Sequence, residues 1–540
     1  MQKINVSRLL IGKPLETSEL PDQAISKPVG LAVFASDALS STAYATQEML
    51  IILSLAGGSA VVLGLSLPIA IAIAVLLVIV TLSYRQTIYA YPNGGGAYIV
   101  ARDNLGELPA QIAGAALLTD YILTVAVSIS SGVEQITSAF QGLIPFRVEI
   151  AVAIIILMTI VNLRGVKESG RIFAVPTYFF LGSMALTIGV GLIRYFTGTL
   201  GTVEGVVAMQ HSALESLGLF LVLRAFSSGC TALTGIEAIS NGITAFKKPR
   251  SHNAAITLIW MSSILITLFL GITFLSHVIA AQPSNVETVI SQLGRTIYGN
   301  GSIFYFLMLA GTALILLMAA NTSYADFPRL AALHAGDGFL PRQLTYRGGR
   351  LVFAWGIVVL AIAASTLVIL AGANTTALIP LYAIGVFLSF TISQTGMVVR
   401  LRKISKLKPG ESVKGLETDL EYDPHWKRHM IVSGFGAVCT FVVLCIFAIT
   451  KFTSGAWVVV VLIPILVFIF FRIHHHYKDV AHSLSLQGKR PELAKHPVRT
   501  LILIDDVHAE TVRMVDFAKS LDHPWVAVNV AIHPEKAEAV

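Results

Sequence analysis

Charge is what this chain has least of. Of its 540 residues 13% are Asp, Glu, Lys or Arg and 55% are hydrophobic, with a mean hydropathy of +0.74. Soluble domains carry about a quarter charged residues, so a stack of such domains is excluded. Cysteine is nearly as scarce: Cys230, Cys439 and Cys445 are the only three, and each falls inside an apolar run. None has CxxC or Cys/His spacing, which removes a disulfide framework and a zinc site and leaves inert core thiols. The formal net charge of +7 raises nucleic acid as a partner, but the Lys and Arg residues lie in short links between apolar runs, where they set membrane orientation. What remains is an all-α polytopic membrane protein.

Apolar runs of crossing length, about 20 residues, occur near 29–56, 59–90, 111–138, 147–165, 172–195, 214–245, 252–281, 301–325, 352–372, 375–400, 429–450 and 455–473. That makes about twelve transmembrane helices. The N-terminal tail and the links 164–171, 247–250, 342–350 and 400–414 are rich in Lys and Arg, whereas 56–58, 139–146, 196–213 and 373–376 have none. This alternation predicts cytoplasmic termini in a bacterial cell membrane. The tail carries Lys3, Arg8, Lys13 and Lys27 ahead of the first run without a small-residue cleavage site, which predicts a retained first span.

A short internal echo links the first and sixth runs: FASDALSS at 34–41 lines up with FSSGCTAL at 226–233. Five spans separate them, and an odd offset inverts topology, so the two segments are expected to face each other as paired broken helices of an inverted repeat. After a transporter domain at 1–480, the composition turns polar. Within 481–540, VRTLILIDD reads as a strand, HAETVRMVDFAKSL as an amphipathic helix and WVAVNVAIH as a second strand. This is the opening of an α/β domain, and a parallel pair needs further elements to cover its faces.

Polar residues inside these runs carry the chemistry. Asp37 lies in FASDALSSTAY, where an ionised carboxylate costs ~2.5–3.5 kcal/mol at a helix centre and so has a task. Ser36, Ser40, Ser41 and Thr42 crowd hydroxyls beside it, as expected of a helix that breaks and turns freed carbonyls toward a cavity. In the third run Asp120, Thr124 and Ser128 recur at intervals of four on one helical stripe, with Tyr121 three residues before Thr124. Thr234 and Glu237 share a face in the sixth run, Gly229 and Gly235 loosen it, and Tyr382 follows Pro380 in the tenth. Thr124 and Ser128 equally fit hydroxyls bonded to their own i−4 carbonyls. Asp120 and Glu237 equally fit a structural pair or residues near an interface, and Tyr44, Tyr121 and Tyr382 gain weight from their neighbours. Arg224 fits a gate or an outward snorkel. Ligands that are oxygen throughout suit an alkali ion. A bound amino acid instead wants free N–H groups for its carboxylate, and at the first break it would meet Asp37. NGGGAY at 93–98 lacks the Lys of a phosphate loop and reads as a flexible link, and no enzyme signature or cofactor site is found.

The segments SDALSSTAY at 36–44, SYRQTIYAYPNGGGAYIV at 83–100, DYILTVAVSIS at 120–130, AFSSGCTALTGIEAISN at 225–241 and IPLYAIGVF at 379–387 resemble KimA-type bacterial potassium importers. These are KUP-family members of the amino acid, polyamine and organocation superfamily. The resemblance implies a leucine-transporter-like fold, a membrane homodimer and a C-terminal domain akin to universal stress proteins. It further implies proton-coupled potassium uptake by alternating access, inhibited by cyclic di-AMP. By motif, Asp37, Tyr44, Asp120, Tyr121, Thr124, Ser128, Thr234 and Tyr382 would line the potassium path and Glu237 would bind the coupling proton. An amino acid or polyamine permease is the nearest alternative; a channel or a membrane sensor is the alternative of another class.

Overall fold

The computed structural model describes residues 25–57, 59–94, 96–165, 170–209, 215–348, 352–485, 499–504 and 507–529. Lys3, Arg8 and Lys13 lie outside these. Ten helices are long and apolar enough to cross a membrane, from Val62–Ala90 to Phe452–Leu484. The shorter helix Ala354–Leu370 and the broken segment 27–54 bring the crossings among the described residues to twelve. The apolar runs become helices because hydrocarbon offers the backbone no partners, so each segment must bond its own N–H and C=O groups.

Burial ranks the spans. The third, Glu107–Ala139, has 89% of its apolar window buried, against 11% for the fourth, Gln141–Leu163, and 28% for the eleventh and twelfth. The third span is therefore the central post. The eighth span, Ile303–Gly336, and the tenth, Thr375–Ile404, pack along it, and small residues permit the approach. A Cβ on Gly385 of the tenth span would stand 3.0 Å from the Ala116 carbonyl oxygen of the third.

Two spans are interrupted. The first runs as Lys27–Phe34, Ser36–Ser40, a 3-10 turn at Ser41–Ala43 and Ala45–Ser54. The sixth, Leu219–Asn241, runs as Leu219–Gly229, a 3-10 turn at Cys230–Leu233 and, after an irregular stretch, Ala238–Asn241. The structure extends the eighth span eleven residues past the expected end at 325, through Pro328 to Gly336. It also places helices at Gly96–Asn104 and Val289–Tyr298, in links too short and mixed in composition to register as spans.

Contacts divide the chain into Met1–Tyr477 and Lys478–Val540. In the second unit, strand Thr500–Ile504 pairs in parallel with Trp525–Asn529, from Thr500 opposite Trp525 to Ile504 opposite Asn529. Helix Ala509–Ser520 connects them and packs on the first strand. The expected strand, helix and strand are all present.

Candidate functional site

The first break is made by hydroxyls. Ser40, Ser41 and Thr42 donate to the carbonyl oxygens of Asp37, Ala38 and Leu39 at 2.7, 2.5 and 2.7 Å. Such bonds, three residues back, compete with the helical ladder and loosen it. These hydroxyls therefore shape the backbone at the break, in keeping with the broken helix expected from their crowding, and none of them hydrogen-bonds the Asp37 carboxylate among the described residues. Ser41 additionally donates to the Ala232 carbonyl of the sixth span at 3.1 Å, which ties the two breaks together.

The second break is made by glycine. Thr234 is extended (φ −65°, ψ 153°) and Gly235 has φ +79°, a conformation that L side chains resist. A Cβ at Gly235 would lie 2.6 Å from the Ala38 amide nitrogen and 2.8 Å from Asp37 Cγ. The Asp37 carboxylate thus rests directly against the opened backbone of the sixth span.

Around this contact the structure gathers most of the candidates. Asp37, Asp120 and Glu237 are 7%, 6% and 4% exposed. Asp37 Oδ1, Asp120 Oδ1 and Glu237 Oε1 have no hydrogen-bond partner among the described residues. The Tyr44 hydroxyl has the Thr234 and Tyr382 side chains as polar neighbours. Thr124 donates to the Tyr382 hydroxyl at 3.2 Å, which joins the third and tenth spans. Tyr121 sits one step round the helix, its hydroxyl accepting from Asn241 Nδ2 at 2.9 Å. Thr234 turns its hydroxyl back to the Thr231 carbonyl at 3.0 Å. Ser128 is buried on the same helix, but no hydrogen bond among the described residues joins it to the others.

Three partners escaped the sequence. Glu237 Oε2 accepts from Ser389 at 2.8 Å and from Tyr84 at 3.3 Å. Ser389 is one of several hydroxyl residues in the tenth run, with Thr391, Ser393 and Thr395, and periodicity cannot tell it from a back-bonded one. Tyr84 stood in a segment valued only for resemblance. The third is Asp326, 7% exposed, a like-charged neighbour of both Asp37 and Glu237. It lies one residue past 325, where the eighth apolar run ends.

Four buried carboxyls thus share one region. The one basic group paired with any of them among the described residues is Arg329, 3.8 Å from Asp326 with its side chain 63% exposed. Burial of that much negative charge requires protons or bound cations. No three His, Cys, Asp or Glu side chains among the described residues converge on one point. A cation here would draw on fewer than three of these carboxylates, with hydroxyls and backbone carbonyls completing its shell. That donor set fits a monovalent ion better than a divalent one.

Polar contacts also mark both ends of the bundle. Toward the end bearing the basic links, Gly94 (φ +88°) and Gly96 (φ +33°) press on Asn241, and a Cβ at Gly96 would lie 2.3 Å from Asn241 Oδ1. The glycine-rich stretch is therefore a close-packed turn and not the flexible link its composition implied. Beyond it, Arg102 pairs with Asp337 and Glu417, and Tyr98 donates to Asp337 at 2.7 Å. Burial works against the Arg102 charge, but the hydrogen bonds it donates to Glu417 and Asp337, with the charge of Asp337, outweigh it and raise the guanidinium pKa. At the opposite end Thr376 donates to Glu48 at 2.7 Å and the Thr375 amide to Glu134 at 2.9 Å. Arg224 lies there too, paired with Glu215 at 3.0 Å.

A family model for amino acid permeases matches residues 31–471. The chain is 44% identical over 536 residues to the potassium transporter KimA of Bacillus subtilis, which covers 98% of this chain and 84% of that protein. A probable potassium transport system protein Kup of Flavobacterium johnsoniae is 28% identical over 203 residues, 37% of this chain and 28% of that protein. Another from Flavobacterium psychrophilum is 30% identical over 132 residues, 24% of this chain and 19% of that protein. With its twelve crossings and two opposed breaks, the chain is a multi-pass membrane protein that belongs to the amino acid permease family, in the branch that holds the potassium transporter KimA.

Proposed function

We propose that this protein imports potassium by proton-coupled symport through alternating access. The observation that carries the reading is the Asp37 carboxylate: buried, with Oδ1 unpartnered, and set against the opened backbone of the sixth span. In that place a bare monovalent cation finds a charge and a shell of oxygens from Tyr44, Thr234, Tyr382 and loosened backbone. Asp120, Tyr121, Thr124 and Ser128 continue the path along the third span. Glu237 carries the coupling proton, because Ser389 and Tyr84 already occupy one of its oxygens while the other is free to be protonated. Moving one charge inward gains ~2.3 kcal/mol per 100 mV, so a coupled proton doubles the drive to ~4.6 kcal/mol, about three decades of accumulation.

The family model names amino acids as cargo, and a permease for amino acids or polyamines is the second reading. A substrate carboxylate would meet Asp37 at the first break, where a low dielectric makes the repulsion several kcal/mol. Identity to KimA over nearly the whole chain supports the cation instead. The protein is proposed as a transporter and not an enzyme, with potassium as cargo and no resident cofactor. The basic links support cytoplasmic termini in a bacterial cell membrane. The resemblance supports a homodimer, inhibition by cyclic di-AMP, and a stress-protein-like domain beginning within 481–540. Counterflow in proteoliposomes tests the cargo: loaded potassium is expected to drive entry of labelled rubidium, and entry of labelled amino acid or polyamine in its place would refute the proposal.

A further inference from the structure

Asn241 has no part in the proposal above, yet it stands where the inner half of the sixth span meets the third. It closes the short helix Ala238–Asn241, with its backbone N–H donating to the Glu237 carbonyl at 2.9 Å. The link that follows carries Lys247, Lys248 and Arg250, cytoplasmic by charge. Asn241 therefore lies one helical turn from Glu237, on the cytoplasmic side. Its side chain leaves its own helix: Nδ2 donates to the Tyr121 hydroxyl of the third span at 2.9 Å, and Oδ1 faces Gly96 in the link between the second and third spans. Its backbone carbonyl stands against Gly94 of the same link, where a Cβ would come within 3.1 Å.

The inner half of the sixth span is itself joined to that of the first. Ile25 donates its N–H to the Ala245 carbonyl at 2.8 Å and accepts from the Lys247 N–H at 3.0 Å. The rings of Phe34 and Phe246 lie 5.6 Å apart, Phe34 against Gly242 and Phe246 against Gly30, and neither glycine has room for a Cβ. The two inner halves thus pack as one unit, and the third span beside them is the buried post. Any motion of that unit against the post must break the bond between Asn241 and Tyr121. Tyr121 is buried, which makes such a bond stronger than one open to water.

We propose that Asn241 is the positioning residue of the cytoplasmic gate: its side-chain amide holds the Tyr121 phenol in the ion path and pins the paired inner halves of the two broken spans to the third span. The path opens inward when that bond lets go. This rests on the potassium reading and adds to it the contact that keeps the inner side shut.

Rubidium transport in right-side-out and inside-out vesicles gives the half-saturating concentration on each face. Loss of a bond that holds the inner side shut shifts population toward the inward-open form, so Asn241→Leu is expected to raise the outer value about fivefold and to lower the inner one. In a Tyr121→Phe background, where the bond is already gone, the same substitution should change the outer value by less than about twofold. An outer value within about twofold of wild type, an inner value that does not fall, or a full shift in the Tyr121→Phe background overturns the proposal. If gel filtration shows that Asn241→Leu does not fold, Tyr121→Phe alone decides: a pinned phenol gives the same opposed shifts, whereas a phenol that only ligates the ion raises both values. Wild-type vesicles that move no rubidium would sink the potassium reading itself, whereas wild-type transport without opposed shifts in the variants sinks only the pin.

Discussion

The two broken spans solve the same problem with different chemistry. In the first, three consecutive hydroxyls pull at carbonyls three residues back, and Oδ1 of the carboxylate beside them has no donor among the described residues. In the sixth, a glycine at φ +79° opens the chain, and the carboxylate two residues on receives hydroxyl donors from the second and tenth spans. A carboxylate without donors must be satisfied from outside the protein, whereas one with donors on a single oxygen can alternate between charged and protonated forms without losing its place. The difference supports the proposed roles, Asp37 for the metal ion and Glu237 for the proton. It also explains why the breaks touch: Gly235 is bare so that Asp37 can approach.

Substitutions can break this contrast in graded steps. Asp37→Asn keeps the shape but removes the charge, and rubidium uptake at micromolar concentrations should fall at least about a hundredfold, ~2.7 kcal/mol. Uptake near wild type would erase the distinction between the breaks. Glu237→Gln should still exchange rubidium downhill while losing its response to an imposed proton gradient, so that accumulation drops from about three decades to under two. A variant that still concentrates rubidium with protons would move the coupling elsewhere. Gly235→Ala forces a Cβ into Ala38 and Asp37 and should cost about 1–3 kcal/mol of stability along with about tenfold in uptake. Gly229→Ala provides the control, because its Cβ meets the movable end of Ile73 at 2.6 Å; thermal unfolding of the two side by side should rank Gly235→Ala clearly lower. Smallest is Ser389→Ala, which removes one of two donors to Glu237 at about 0.5–1.5 kcal/mol and should shift proton-driven uptake only a few-fold.

Much of this architecture is legible in the sequence, because a membrane helix must announce itself by unbroken apolarity. The twelve crossings and the strand, helix and strand near the C-terminus follow from that and from period-two alternation. Asp37, Asp120 and Glu237 stand out because charge in hydrocarbon is costly. What stays hidden depends on neighbours that lie far off in sequence. Ser389 and Tyr84 matter only through Glu237, some 150 residues away. Asp326 lies beyond the boundary of its apolar run, since the mostly polar stretch 321–326 interrupts the apolarity while the helix continues to Gly336. The turn around Gly94 and Gly96 looked slack because composition does not reveal that Asn241 fills the space their missing side chains leave.

The most direct test is to locate the ion. Crystals or frozen grids prepared in rubidium or thallium, with a lithium control, should show density beside Asp37 Oδ1 within reach of Tyr44, Thr234 and Tyr382, and none there in Asp37→Asn. An empty pocket at Asp37 in saturating rubidium, or an organic molecule seated against Gly235, would contradict the account.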